Sequence, residues 1–295
     1  MERPIPEIHT ETLSVTAADG ATSCVTVFAG PSEATPPVLL CIPAMGVTAQ
    51  YYEPLALTCA AQGFPMVTAD LRGNGCSSVR ASRSSQFGYH EIVHYEVPAI
   101  VAQVRGRFPA NPLYLLGHSL GGQLGALYAS ANPGEVDGLI LVAACSVFYR
   151  GWDFPSNVGV LFGTQFARCI AGVLGYFPGN IMGFGGTESK GIIRDWSREA
   201  LKGVYDVAGS PHDFETLLRQ LRIPVLAFSL DDDWFAPERA VHNLCKKMEQ
   251  APLTHWHLVP EDFPVDRIGH FQWVRHADPI VEKIRQWLPK NGRCT

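Results

Sequence analysis

LLGHSLGGQL, residues 115–124, is the stretch that decides how this chain is read. An apolar, strand-like run ends in His118 and Ser119, and a helical pattern starts at once with Leu120. Gly117, Gly121, Gly122 and Gly125 crowd around the single hydroxyl. A structural turn needs only one or two glycines. Where a strand turns sharply into a helix, the turning side chain is pushed above the sheet on strained backbone. Residues two positions to either side then come so close that only small ones fit. Gly117-His118-Ser119-Leu120-Gly121 has that spacing in a strand–turn–helix setting. The helix start also aims free N–H groups at any negative charge formed there.

Working outward, short apolar runs alternate with longer helical patterns. Residues 8–17 and 22–30 read as an opening hairpin across the Asp19-Gly20 turn. Further strands are expected at 37–43, 64–70, 113–118, 136–144, 223–230 and 253–259, with helices at 50–62, 90–107, 120–131, 237–250 and 271–288. The middle runs are continuously apolar, as strands covered on both faces are. The alternation predicts an α/β protein with a mostly parallel central sheet flanked by helices. One interval breaks the rhythm. Residues 146–222 hold no evident strand but are dense in aromatics and glycine, and plain loops beyond ~15 residues are uncommon. This interval reads as an inserted, partly helical lid, with residues 1–145 and 223–295 forming the core domain. Its charge is near balance, with eight Lys/Arg against seven Asp/Glu.

Composition narrows the function classes. The chain has 295 residues, 46% hydrophobic and 17% charged, which describes a folded globular protein. A net charge of −5 gives no invitation to nucleic acid or an anionic membrane surface. MERPIPEIHTETL has no apolar leader segment, and no apolar run approaches the ~18 residues of a membrane span. The eight cysteines are scattered without a CxxC pair, so they are expected to be reduced and buried in a cytoplasmic protein.

On these residues the chain resembles the serine α/β-hydrolases, over essentially its whole length outside the lid. The resemblance implies the α/β-hydrolase fold and a triad in the order Ser, acid, His. Ser119 is the implied nucleophile. The acid belongs on the loop after the strand 223–230, four residues before a proline. Asp233 fits Pro237 in that way, with Asp232 and then Asp231 as alternatives, because Leu230 replaces the family's glycine. His270, in Arg267-Ile268-Gly269-His270-Phe271 before the last helix, is the implied base. A serine hydroxyl is a poor nucleophile unless an imidazole takes its proton, and the carboxylate fixes that imidazole's tautomer. The oxyanion would meet the N–H groups of Leu120 and Met45. The latter lies in Pro43-Ala44-Met45-Gly46, where the family carries His-Gly-x-Gly; only Gly46 is retained.

The implied activity is cleavage of a carboxylic ester of an acyl or aromatic-acyl substrate through a Ser119 acyl-enzyme, with no cofactor and no metal. The alternatives are an acyltransferase, thioesterase or cyclase acting on a carrier- or CoA-bound acyl group, and a non-catalytic ligand-binding member of the fold. Phe148, Trp152, Phe177, Phe184 and Trp234 are the expected pocket residues, while most other lid aromatics are expected to form the lid's own core. His118 is expected to support the turn at Ser119. Asp70-Leu71-Arg72-Gly73-Asn74-Gly75 resembles the family's D-x-R-G-x-G, which implies a bracing Asp/Arg pair. Arg72, Arg80 and Arg83 suit a solvated loop, or, more sharply, an anion-binding rim. His255 and His257, spaced i, i+2, could share one strand face as a metal pair, but no third ligand accompanies them in sequence. The Asp231–Asp233 run lacks the surroundings of a calcium loop.

Overall fold

Residues 7–31 and 35–288 are described by the computed structural model. Its strands are β1 (His9–Thr16), β2 (Thr22–Ala29), β3 (Val38–Ile42), β4 (Met66–Ala69), β5 (Leu113–His118), β6 (Gly138–Val142), β7 (Tyr176–Pro178), β8 (Thr187–Ser189), β9 (Val225–Leu230) and β10 (Leu253–Leu258). Eight of them form one sheet in the order β1-β2-β4-β3-β5-β6-β9-β10. Pairing from β4 to β10 is parallel, and β1 and β2 are antiparallel additions at one edge. Every residue of β3, β5 and β6 is buried, as helices on both faces require, whereas edge strand β10 buries only Leu258. The hairpin turns where the sequence places it, with Thr16 opposite Thr22 and Gly20 at φ +83°.

The chain leaves β3 for β4 on one side and later returns to place β5 on the other. The carboxyl ends of β3 and β5 therefore flank a switch in strand order, where open parallel sheets leave a crevice for ligands. The turn Pro43–Gly46 follows β3 and Ser119 follows β5, so both border that crevice.

The interval after β6 holds the helices Ser156–Leu174, Gly179–Met182, Lys190–Lys202 and Phe214–Gln220. Where the sequence shows no evident strand, the structure has a short antiparallel ribbon, β7 with β8. Three-residue strands carry too little alternation to be read in advance. The two longest of these helices pack on each other over a small cluster of Ala167, Ala171, Phe177 and Ile193. Phe214 and Leu218, by contrast, are buried in the main core, against the helix Leu120–Ala131.

Two expectations are corrected. Cys24 and Cys76 form a disulfide, and Cys169 is exposed, so the cysteines are not uniformly reduced and buried. The bonded pair is 52 residues apart, and only the approach of β2 to the loop after β4 brings the two together. Cys294 lies outside the described residues. The helix Ser156–Leu174, with Arg168 as its sole charge, is long and apolar enough by length and composition to cross a membrane. Polar Asn, Thr and Gln interrupt the run, which hides its length in sequence.

Candidate active site

Ser119 caps β5 at φ 54°, ψ −121°, a conformation that L-residues rarely adopt. The glycines around it explain how the turn is held. A Cβ on Gly117 would overlap Gly122, one on Gly121 would overlap the carbonyl of Ile42, and one on Gly122 would overlap Ala144. These three glycines let the turn sit directly against β3 and the end of β6. Gly125 is different, since its Cβ would meet nothing closer than Leu115 at 3.8 Å.

The three aspartates after β9 part company. Asp233, only 2% exposed, places Oδ2 2.8 Å from Nδ1 of His270. Its Oδ1 accepts the amides of Phe235 at 2.9 Å and Ala236 at 3.0 Å. Asp232 instead accepts the amide of Ile268 at 3.2 Å, which steadies the loop that carries His270. Asp231 faces His257 at 3.4 Å. The turn in which the Asp233 amide donates to the Leu230 carbonyl aims only the third carboxylate inward. With Nδ1 held by Asp233, His270 keeps Nε2 for the cavity that Ser119 also lines. Among the described residues the Ser119 hydroxyl makes no hydrogen bond.

His118 is fully buried and does not line the cavity. Its Nδ1 lies 2.8 Å from the Tyr52 hydroxyl and its Nε2 lies 2.8 Å from the His270 carbonyl. The Tyr52 oxygen in turn accepts the amide of Ala44 at 2.9 Å. One proton assignment satisfies all three contacts: Ala44 N–H to Tyr52, Tyr52 O–H to His118 Nδ1, and His118 Nε2–H to His270. Burial holds His118 well below the ordinary imidazole range, so it stays neutral as this chain requires. The Pro43–Gly46 turn, the turn at Ser119 and the His270 loop are thereby tied into one frame. Tyr52 sits in no motif, and nothing in the sequence distinguishes it from Tyr51.

The cavity has a volume of about 360 Å³. Met45, Leu120, Trp152, Phe177, Phe184 and Trp234 line it, together with Trp196, Phe235 and Phe271, which the sequence did not single out. Among the described residues that line it there is no Lys, Arg, Asp or Glu. Phe148 is the exception to the expectation: its ring packs over Gly203 and beside Tyr149, at a separate surface depression. The Phe148–Gly151 turn carries it past the cavity while Trp152 swings in, its Nε1 donating to the Trp234 carbonyl at 2.9 Å. Behind the tip 183–186, Glu188 accepts the Gly186 amide at 3.1 Å, and burial pushes its carboxyl up to about 7.

The expected Asp70/Arg72 pair does not form. Asp70 accepts the amides of Ala49 at 2.7 Å and Cys76 at 3.1 Å, and a Cβ on Gly75 would overlap its carboxylate. Arg72 bonds Asp19 at 2.6 Å and faces Glu96 at 3.6 Å. Arg80 and Arg83 are tied to backbone carbonyls of Val79 and Leu174, and none of the three arginines lines the cavity. An anion-binding rim is therefore not what this loop builds.

Comparison with known proteins agrees with this fold. A family model described as the alpha/beta hydrolase fold matches residues 37–262. A pimeloyl-[acyl-carrier protein] methyl ester esterase of Xanthomonas axonopodis pv. citri (strain 306) is 30% identical over 201 residues, covering 65% of this chain and 76% of the relative. Among solved structures, a thermophilic esterase from Thermogutta terrifontis has a TM-score of 0.59 at 16% identity, covering 94% of this chain and 97% of that one. A thioesterase domain from the curacin biosynthetic pathway has a TM-score of 0.57 at 19% identity, covering 95% and 99%.

Proposed function

The chain belongs to the alpha/beta hydrolase family and is an esterase-like hydrolase; from that premise we propose that Ser119, His270 and Asp233 cleave carboxylic esters of uncharged acyl or ring-bearing acids through an acyl-enzyme. As Ser119 Oγ attacks the ester carbonyl, His270 Nε2 takes its proton. The negative charge on the carbonyl oxygen is received by the amides of Met45 and Leu120. Collapse of the tetrahedral species breaks the C–O bond, and His270 returns the proton to the departing alcohol. Water, activated by the same imidazole, then releases the acid and restores Ser119. Donors of this kind are worth ~2.7–4 kcal/mol each in related chemistry.

One observation carries this reading: a serine on strained turn backbone shares a cavity with a histidine whose other nitrogen lies 2.8 Å from a buried carboxylate. The substrate class rests on the lining, which offers apolar and aromatic contact and, among the described residues, no Lys, Arg, Asp or Glu. We take residues 146–222 as the lid that selects what enters, since Trp152, Phe177 and Phe184 lie on it.

Mass spectrometry of the protein exposed to p-nitrophenyl esters and acyl thioesters tests the proposal. An acyl adduct on Ser119, absent in folded Ser119→Ala, is the expected result. Labelling of another residue, or near-wild-type turnover by Ser119→Ala, would overturn it. Thioesters turned over much faster than matched esters would replace the ester reading with thioester cleavage at the same serine.

A further inference from the structure

His255 and His257 do share one face of β10, because both rings reach the same hydroxyl. Ser229 Oγ lies 2.9 Å from His255 Nε2 and 2.8 Å from His257 Nδ1. They do not converge on each other. His255 turns its remaining nitrogen, Nδ1, toward Nε2 of His242, 3.1 Å away on the helix Glu238–Cys245. Glu238 stands four residues before His242, on the same side of that helix. One donor atom from each of Glu238, His242 and His255 lies within 4.8 Å of the other two.

We propose that Glu238, His242 and His255 form a binding site for a divalent transition ion of the zinc class, separate from the cavity at Ser119. Three features carry it. Zinc–imidazole bonds of ~2.0–2.1 Å at a tetrahedral angle set the two nitrogens ~3.3 Å apart, close to their present spacing. The outer contacts already orient the ligands. His255 Nε2–H donates to Ser229, Ser229 O–H donates to His257 Nδ1, and His257 Nε2 faces Asp231 at 3.4 Å. That arrangement leaves the His255 Nδ1 lone pair aimed at the site, in the way a ligating imidazole is held by its second nitrogen. Finally, Glu238 is exposed and free to swing its carboxylate onto the ion, leaving the fourth position to water. Two imidazoles with one carboxylate suit zinc and its transition-metal neighbours, not calcium or magnesium.

The ion would join the start of this helix to β10. The Asp231–Pro237 loop, which carries Asp233, runs between β9 and that helix, so the site would clamp it from outside. No residue of the trio lines the cavity, so the ion would act on stability and leave the chemistry at Ser119 unchanged.

The full chain, stripped by chelator dialysis, is titrated with zinc against a chromophoric chelator while thermal unfolding is followed. One equivalent bound, with a rise in Tm, is expected for the wild type. Glu238→Gln, an exposed change that leaves the fold alone, should weaken binding. His255→Ala should abolish it, and Ser229→Ala should weaken it roughly 10–100-fold, as loss of an outer partner does. His94→Ala is the control, because His90, His94 and His212 form a separate histidine cluster, with ring centres 4.7 and 5.1 Å apart. Fluorophosphonate labelling of Ser119 should be unchanged in every variant. No zinc bound by the wild type, full stoichiometry retained by His255→Ala, or loss of binding in His94→Ala alone would each overturn the proposal.

Discussion

A methyl group added to Gly121 would drive into the carbonyl of Ile42, whereas one added to Gly159 or Gly163, across the same cavity, would meet nothing within 4 Å. The wall that carries Ser119 is set by backbone lying on backbone. The facing wall, on the helix Ser156–Leu174, rests on a core cluster of four buried residues and leaves Phe162 and Phe166 largely exposed. The first wall has no slack, because interiors packed to this density convert small volume changes into displacement. The second has open space at Gly159 and Gly163. On the proposed function, chemistry belongs to the wall that cannot move and selection of the acyl group to the wall that can be reshaped.

The largest effect is expected at Asp233. On the rigid wall a single carboxylate should matter and its neighbour should not. Asp233→Asn should lower kcat by on the order of 10⁴-fold, since an amide cannot fix the His270 tautomer in the same way. Asp232→Asn keeps an oxygen for the Ile268 amide and should stay within about tenfold of wild type in kcat/KM for p-nitrophenyl hexanoate. Comparable losses in the two variants would mean that the loop shares the task between them.

The facing wall should respond in KM, and by substrate. Phe184 lies between Trp196 and Phe235, with ring centres 5.3 and 6.0 Å away, and lines the cavity. If Phe184→Ala removes contact with one or two substrate methylenes at ~0.8 kcal/mol each, KM for a hexanoyl ester should rise roughly 4–15-fold. An acetyl ester, too short to reach the ring, should change less than about twofold on the same basis. Steady-state kinetics on the ester pair measure it; equal changes would show that this wall does not choose the acyl chain.

The two walls were also unequally legible in the sequence. The continuous apolar runs of β3, β5 and β6 and the spacing of Gly117, Ser119 and Gly121 are local patterns, and local patterns are what a single sequence displays. The order of Ser119, Asp233 and His270 could be read because a shared fold preserves chain order. What escaped was set by distant partners. Arg72 finds Asp19 rather than Asp70 because two amides already occupy Asp70. Cys24 meets Cys76 only once β2 lies beside β4. Phe148 and Trp152 are both aromatic and four residues apart, yet one short turn sends them to different depressions. Aromatic content located the facing wall but could not say which rings face inward.

Gly125 offers the finest test of why the first wall is rigid. It belongs to the same helix as Gly121 and Gly122, and all three are buried. Helical glycine as such costs roughly 0.5–1 kcal/mol relative to alanine, through the freedom it gives the unfolded chain. At Gly121 and Gly122 that cost is retained because a side chain would overlap Ile42 or Ala144. At Gly125 a Cβ would reach only ordinary contact with Leu115, at 3.8 Å, so no such overlap opposes it. Gly125→Ala should therefore stabilise the protein by about 0.5–1 kcal/mol, read as a small rise in the urea midpoint at unchanged slope, with kcat/KM unaltered. A loss of stability there would mean that the helix is held against β5 more tightly than its contacts indicate. Rigidity would then belong to the whole helix rather than to the two glycines beside Ser119.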